Sequence, residues 1–289
     1  MEFWQPVAWV EPDQLVPVAR FAEELGFDGI LSVDHAVYPE TVRAPYPYAP
    51  DGKPPMDAGD PYPDCWVSIA FMAAATTRLR FSTAVYVLPL RNPFEVAKAC
   101  GALSLLSGER FALGIGAGWM ADEFDIYGVP FRARGRRMDE MIEIMQSLWD
   151  GGMVEYHGEF YDFPRLCIEP APPSRVPIFA GGDNPAALRR AAQRCDGWIG
   201  AGNLPQEVPD ILARLKSLRA AAGRDWAGFE TLIGLKAEPG VGQLQELGEQ
   251  GMTGALNAPF AFTLGKRSSL ADKQRAMERY AETVIRHFR

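Results

Sequence analysis

A single α/β domain folded as a TIM-type (β/α)8 barrel is what this sequence predicts, on three observations. Short strand-like runs alternate with amphipathic helical stretches from end to end, the order that builds a parallel sheet. The strand-like runs number about eight, the count at which such a sheet closes on itself. The 289 residues, 47% hydrophobic and 23% charged, suffice for one large core, and no linker or short-period repeat divides residues 1–289.

The elements follow in order. The first strand is expected over 3–10 and its helix over 13–25, which opens at a Pro-Asp pair and stops at Gly26. Further strands are predicted over 29–35, 79–88, 110–116, 176–182, 197–202, 230–237 and 254–260. Their helices are expected over 64–77, 93–106, 132–149, 184–194, 206–222, 241–250 and 269–287. Two insertions interrupt the alternation. Residues 36–64 are too rich in proline for helix or central strand, yet their tyrosines suit an ordered lid over a barrel mouth. Residues 151–175 contain the alternating run "VEYHGEFYDF", a hairpin turning at Gly158.

A formal net charge of −8 offers no general attraction to nucleic acid or to an anionic membrane, so the expected partner is a small molecule. The four cysteines are widely spaced without a C-x-x-C pair, which argues against a disulfide framework or a thiolate zinc site. The N-terminal "MEFWQPVAWVEPD" lacks a basic region and an apolar core, and no apolar run reaches the length of a membrane span. A cytoplasmic protein is expected.

In a barrel of this type the site forms where strands run out into their following loops. The stretch "ALGIGAGWMADEF" (112–124) imitates a dinucleotide fingerprint, but Trp119 stands where the last glycine belongs, and the nearest suitable acids, Asp139 and Glu140, fall inside a predicted helix. At a barrel strand end, Gly116, Ala117 and Gly118 leave the tip bare for a flat ring or an anion; a turn that needs glycine only for its dihedrals explains them equally well. The second strand ends in Asp34 and His35, and His35 is the only one of three histidines at a strand end, which favours function over a purely structural role. At the third strand end Thr83 offers a hydroxyl and Ala84 and Val85 only shape, a structural reading when taken alone. Gly181, Gly182, Asp183 and Asn184 precede a helix whose N–H groups suit a phosphate, and the two bare glycines favour that over an ordinary cap by Asp183 or Asn184. Metal hydrolysis lacks histidines, nucleophilic hydrolysis lacks a G-x-S-x-G elbow, and Lys236 alone is a thin basis for a lysine enzyme.

Together "GFDGILSVDHAVYP", "PYPYAPDGKPP", residues 64–149 and "PIFAGGDNPAALRRAAQRCDGWI" resemble the luciferase-like monooxygenase superfamily. "LPLRNP" and the "DG" lid are similar to its subgroup that uses the deazaflavin coenzyme F420. The resemblance implies a TIM barrel performing hydride transfer at C5 of F420, with FMN-dependent monooxygenation and a non-catalytic flavin-binding relative as alternatives. It implies Asp34 and His35 beside the ring as the catalytic residues, His35 as acid or base, and a non-prolyl cis peptide at Ala84-Val85 against the ring's back face. It also implies Gly116, Ala117 and Gly118 along the cofactor, Gly181 and Gly182 at its phosphate, and a homodimer. Some sugar-oxidising relatives place a glutamate directly after the last glycine of the fourth strand; Trp119 stands there, which argues against sugar-phosphate oxidation. The basic run of Arg132, Arg134, Arg136 and Arg137 reads as a solvated or ion-paired helix face in preference to a site for the anionic F420 tail.

Overall fold

The computed structural model describes all of residues 1–289. In chain order it contains β1 (Glu2–Pro6), α1 (Leu15–Glu24), β2 (Gly29–Ser32), α2 (Cys65–Ala74), β3 (Arg80–Thr83), β4 (Tyr86–Val87), α3 (Pro93–Ser107), β5 (Phe111–Gly116), α4 (Ala121–Tyr127) and α5 (Arg134–Trp149). The hairpin β6 (Val154–His157) and β7 (Asp162–Leu166) follows, then β8 (Ile178–Gly181), α6 (Pro185–Arg194), β9 (Gly197–Asn203), α7 (Val208–Ala221), β10 (Glu230–Leu235), α8 (Val241–Gln250), β11 (Gly254–Leu256), α9 (Phe260–Thr263) and α10 (Leu270–Thr283). Strands β1, β2, β3, β5, β8, β9, β10 and β11 pair in parallel, and pairing of β11 with β1 and of β3 with β5 closes the ring. The eight-stranded barrel is therefore the observed fold.

Alternation along each strand divides two cores. One face packs against the helices through Phe3, Ile30, Phe81, Leu113, Ile115 and Ile178. The other fills the barrel with Trp4, Leu31, Ala112, Phe179, Ile199 and Leu232. Beneath that layer Arg80 bridges Glu2 and Glu230 at 2.7 and 2.9 Å, and Trp4 donates its indole N–H to Glu2 at 2.9 Å. This charged cluster covers the N-terminal end of the barrel.

The sequence reading places most elements within a few residues and errs in three places. The expected third strand, 79–88, breaks at a cis peptide between Ala84 and Val85, and β4 resumes beside β5 before a 3-10 turn at Leu88–Leu90. The helix expected at 132 begins at Arg134, and α4, unforeseen, occupies part of the preceding loop. The eighth strand ends at Leu256 and gives way to α9. Both insertions take the expected form. The lid contains no helix or strand, and the hairpin turns through Gly158, whose N–H donates to the Tyr161 carbonyl at 2.8 Å.

The break in the third strand sets the composition around it. A Cβ on Gly116 would lie 2.4 Å from a Val85 methyl, one on Gly181 2.7 Å from the other, and one on Gly114 1.7 Å from the Thr83 carbonyl oxygen. These glycines are bare because the displaced chain fills the space their side chains would need. Gly118, with φ +81°, also needs glycine for its backbone and packs against Val87 and Phe124. Gly116→Ala should then cost on the order of 1–3 kcal/mol by overpacking, and Val85→Ala in the same chain should recover at least half of that. Denaturant melts of the single and double variants check this; additive losses would show that the two residues do not compete for space.

Candidate active site

At the open end the chain leaves β2 and delivers two residues with separate tasks. Asp34 is nearly buried and its oxygens are taken: Arg91 donates at 2.9 and 3.2 Å and the Val87 amide at 2.9 Å. Burial pushes its carboxyl above the ordinary range, while Arg91 and the Val87 N–H pull it back. Asp34 thus fastens the segment that follows the cis peptide, and where a catalytic role is expected for it the structure shows an ion pair with Arg91 and a bond from the Val87 amide. Thr83 is corrected in the same way: it is fully buried and donates its hydroxyl to the Gly114 carbonyl at 2.6 Å, so its hydrogen is spent on locking β3 to β5. Ala84 and Val85 are half-buried and pack on the barrel's inner layer, so they form its upper surface.

His35 is differently placed. Its Nδ1 lies 2.9 Å from Glu123 Oε2, while Glu123 Oε1 accepts from the amides of Ala36 and Val37 at 2.9 and 3.4 Å. The Glu123 side chain is 1% exposed and that of His35 12%, and His35 Nε2 makes no hydrogen bond within the chain. Beside Glu123, Asp122 accepts from the amides of Arg43 and Ala44 at 3.1 and 3.0 Å and from Arg43 Nε at 2.7 Å. The first turn of α4 therefore clamps the start of the lid. Lys266 holds its far end through Asp57 and Asp60, at 3.1 and 2.6 Å.

Aromatic rings complete the enclosure. Tyr62 and Trp119 stand edge-on to His35 at 5.3 and 5.9 Å, Tyr46 meets Trp119 at 5.1 Å, and Trp9 donates to the Tyr62 hydroxyl at 2.7 Å. Burial raises both phenols, that of Tyr46 to about 12, so they stay neutral. The nearby cations have acid partners, Arg91 with Asp34, Arg43 with Asp122 and Asp125, Lys266 with the lid acids, although Arg91 Nη1 is buried without a partner.

Across the mouth, Asn184 caps α6, its Oδ1 accepting from Ala186 and Ala187 at 3.0 Å each, while Pro185 has no N–H to give. The plainer cap reading holds for Asn184. The amides of Gly182, Asp183 and Asn184 nevertheless make no hydrogen bond within the chain, and Gly182 has φ +98°. Gly116, Ala117 and Gly118 run from the end of β5 past Val85 and Val87. Three of the four arginines in the basic run are engaged within the chain, Arg134 on the Gly118 and Phe131 carbonyls, Arg136 on Glu159 and Arg137 on the Pro89 carbonyl, while Arg132 is exposed.

The sequence analysis assigns no role to Asp122 and Glu123. A usable signal was present: adjacent acids directly after a barrel strand, at the same rim as an Asp-His pair. Burial pushes the Asp122 carboxyl up, but the Ala44 and Arg43 amides and the Arg43 guanidinium outweigh this and hold it below its usual value. A depressed folded-state pKa gives a clamp that is complete above the ordinary carboxylate range, near about 4, and is lost as pH falls through the folded value. Amide-exchange protection at Arg43 and Ala44 should follow that course, and in Asp122→Asn it should be weak already at neutral pH. Protection indifferent to both pH and substitution would dismiss the clamp.

Comparison with known proteins agrees with this architecture. An uncharacterized protein of Mycobacterium tuberculosis is 40% identical over 275 residues, 93% of this chain and 94% of its own. An F420-dependent glucose-6-phosphate dehydrogenase of Microbacterium testaceum is 28% identical over 231 residues, 78% of this chain and 64% of the relative. The crystal structure of monooxygenase RslO1 from Streptomyces bottropensis superposes with a TM-score of 0.80 at 18% identity, covering 100% of both chains, which is a likeness of fold. The family model for luciferase-like monooxygenases matches residues 5–239, and the chain belongs to that family.

Proposed function

We propose that this protein is an F420-dependent oxidoreductase that moves a hydride between the deazaflavin and a small, neutral organic substrate. The observation that carries the reading is His35, anchored at Nδ1 and unengaged at Nε2, on a rim shared with the Ala84–Val85 surface. The residues fit the cofactor on two counts. Val85 and Ala84 form an apolar wall for one face of a ring, with Gly116–Gly118 beside it. The free amides of Gly182, Asp183 and Asn184 suit a phosphate. When bound, F420 supplies a carbon centre that accepts or donates a hydride. The chain's share is to hold the ring, exclude water with the lid, and take or return the substrate's proton at His35 Nε2. Paired cations and neutral phenols around His35 favour an uncharged substrate over a phosphate ester.

Separate titrations with F420 and FMN, followed by cofactor absorbance and by emission from the seven tryptophans, Trp9 and Trp119 among them, test the cofactor. F420 should bind and quench; tight FMN binding without F420 binding would make the FMN monooxygenase the correct reading. With F420 loaded, a panel of neutral alcohols should be turned over in preference to glucose 6-phosphate. His35→Ala should lower that turnover at least a hundredfold with F420 affinity little changed. Equal losses would leave His35 a binding residue.

We also propose that the protein pairs with a second copy through α2 and α3, as the family resemblance implies. Helix α2, CWVSIAFMAA, carries no charge, and exposes Val67 at 58% and Phe71 at 68%; Leu106 of the adjacent α3 is 84% exposed. Sedimentation should show a dimer that Phe71→Glu with Leu106→Glu converts to monomer. A monomeric wild type would remove the proposal.

A further inference from the structure

Glu123 sits in the first turn of α4, 88 residues from His35 in sequence. Its carboxylate meets three groups of one short segment: the amides of Ala36 and Val37 at Oε1 and the Nδ1 of His35 at Oε2. A carboxylate has only acceptors to offer, so the imidazole nitrogen facing it carries the hydrogen. We infer that Glu123 is a positioning residue: it fixes the neutral His35 ring as the Nδ1–H tautomer, presents the Nε2 lone pair to the mouth, and stabilises the imidazolium formed when Nε2 takes a proton. The other charged or titratable groups facing His35 are Asp34, already spent on Arg91, and the neutral Tyr62. Glu123 is thus the one acid bonded directly to the ring, and no alternative acceptor at Nδ1 competes with it.

The functional weight of this inference rests on the reading of His35 as the proton-handling group; the tautomer itself does not. Glu123→Gln separates the two. The Ala36 and Val37 amides need an acceptor at the Oε1 position, so they orient the new side chain with its oxygen toward them and its NH2 toward Nδ1. An NH2 donor there selects the opposite tautomer, with hydrogen on Nε2, while the start of the lid stays held.

Nitrogen-15 NMR of the cofactor-free protein should show His35 as Nδ1–H in the wild type and Nε2–H in Glu123→Gln. Carbethoxylation by diethyl pyrocarbonate, which needs an unprotonated ring nitrogen, should slow at least tenfold at His35 in the variant. His157 and His287, both exposed, serve as internal standards in the same peptide digest. Wild-type His35 with hydrogen on Nε2, or a variant with unchanged tautomer and reactivity, would overturn the assignment. In the F420-loaded protein Glu123→Gln should reduce kcat more than KM. If the tautomer flips while kcat holds, the proton-handling role of His35 fails and the geometric assignment stands.

Discussion

A closed ring of eight strands has an interior of fixed width, and at its open end this protein fills that width with backbone. The chain leaves β3 at Thr83, turns inward through Ala84 and Val85, and returns beside β5 as Tyr86 and Val87. Everything around the detour gives way to it. Gly114, Gly116 and Gly181 lose their side chains to Thr83 and Val85, Thr83 locks onto Gly114, and Asp34 with Arg91 fastens the far side. The result is an apolar floor at the mouth, supported from below by Trp4, Phe179 and their neighbours and sealed at the base by Arg80 between two glutamates.

On that floor the polar machinery is held from one place. Asp122 and Glu123, adjacent at the start of a helix of seven residues, reach the lid backbone at Ala36, Val37, Arg43 and Ala44 and the His35 ring as well. Buried carboxylates that accept several N–H groups are satisfied, and the segments that donate are ordered in return. The histidine and the cover over it therefore share one support.

The fold was legible because hydrophobic period and strand count are local properties that survive without an alignment. The positions of His35 and of Gly116, Gly118, Gly181 and Gly182 were also legible, since the end of a barrel strand can be found from the strand itself. The reason for the glycines was not. A sequence shows that a side chain is missing and cannot show that Val85, some thirty residues earlier than Gly116 and nearly a hundred earlier than Gly181, takes its place. The same separation hid Thr83 and Asp34: a free hydroxyl and a free carboxylate look alike in sequence whether they face a ligand or a neighbouring strand.

The residues by themselves determined the barrel, its open end, the lid and hairpin insertions, and a lone histidine at the rim, because each is signalled by a pattern within a few turns of chain. Only the tertiary structure decided which of those polar groups were already spent. It paired Glu123 with His35 across 88 residues, Asp34 with Arg91 across 57 and Lys266 with Asp60 across 206. Hydrogen bonds and ion pairs act through space over about 3 Å, and closing the barrel is what brings such distant positions within that reach.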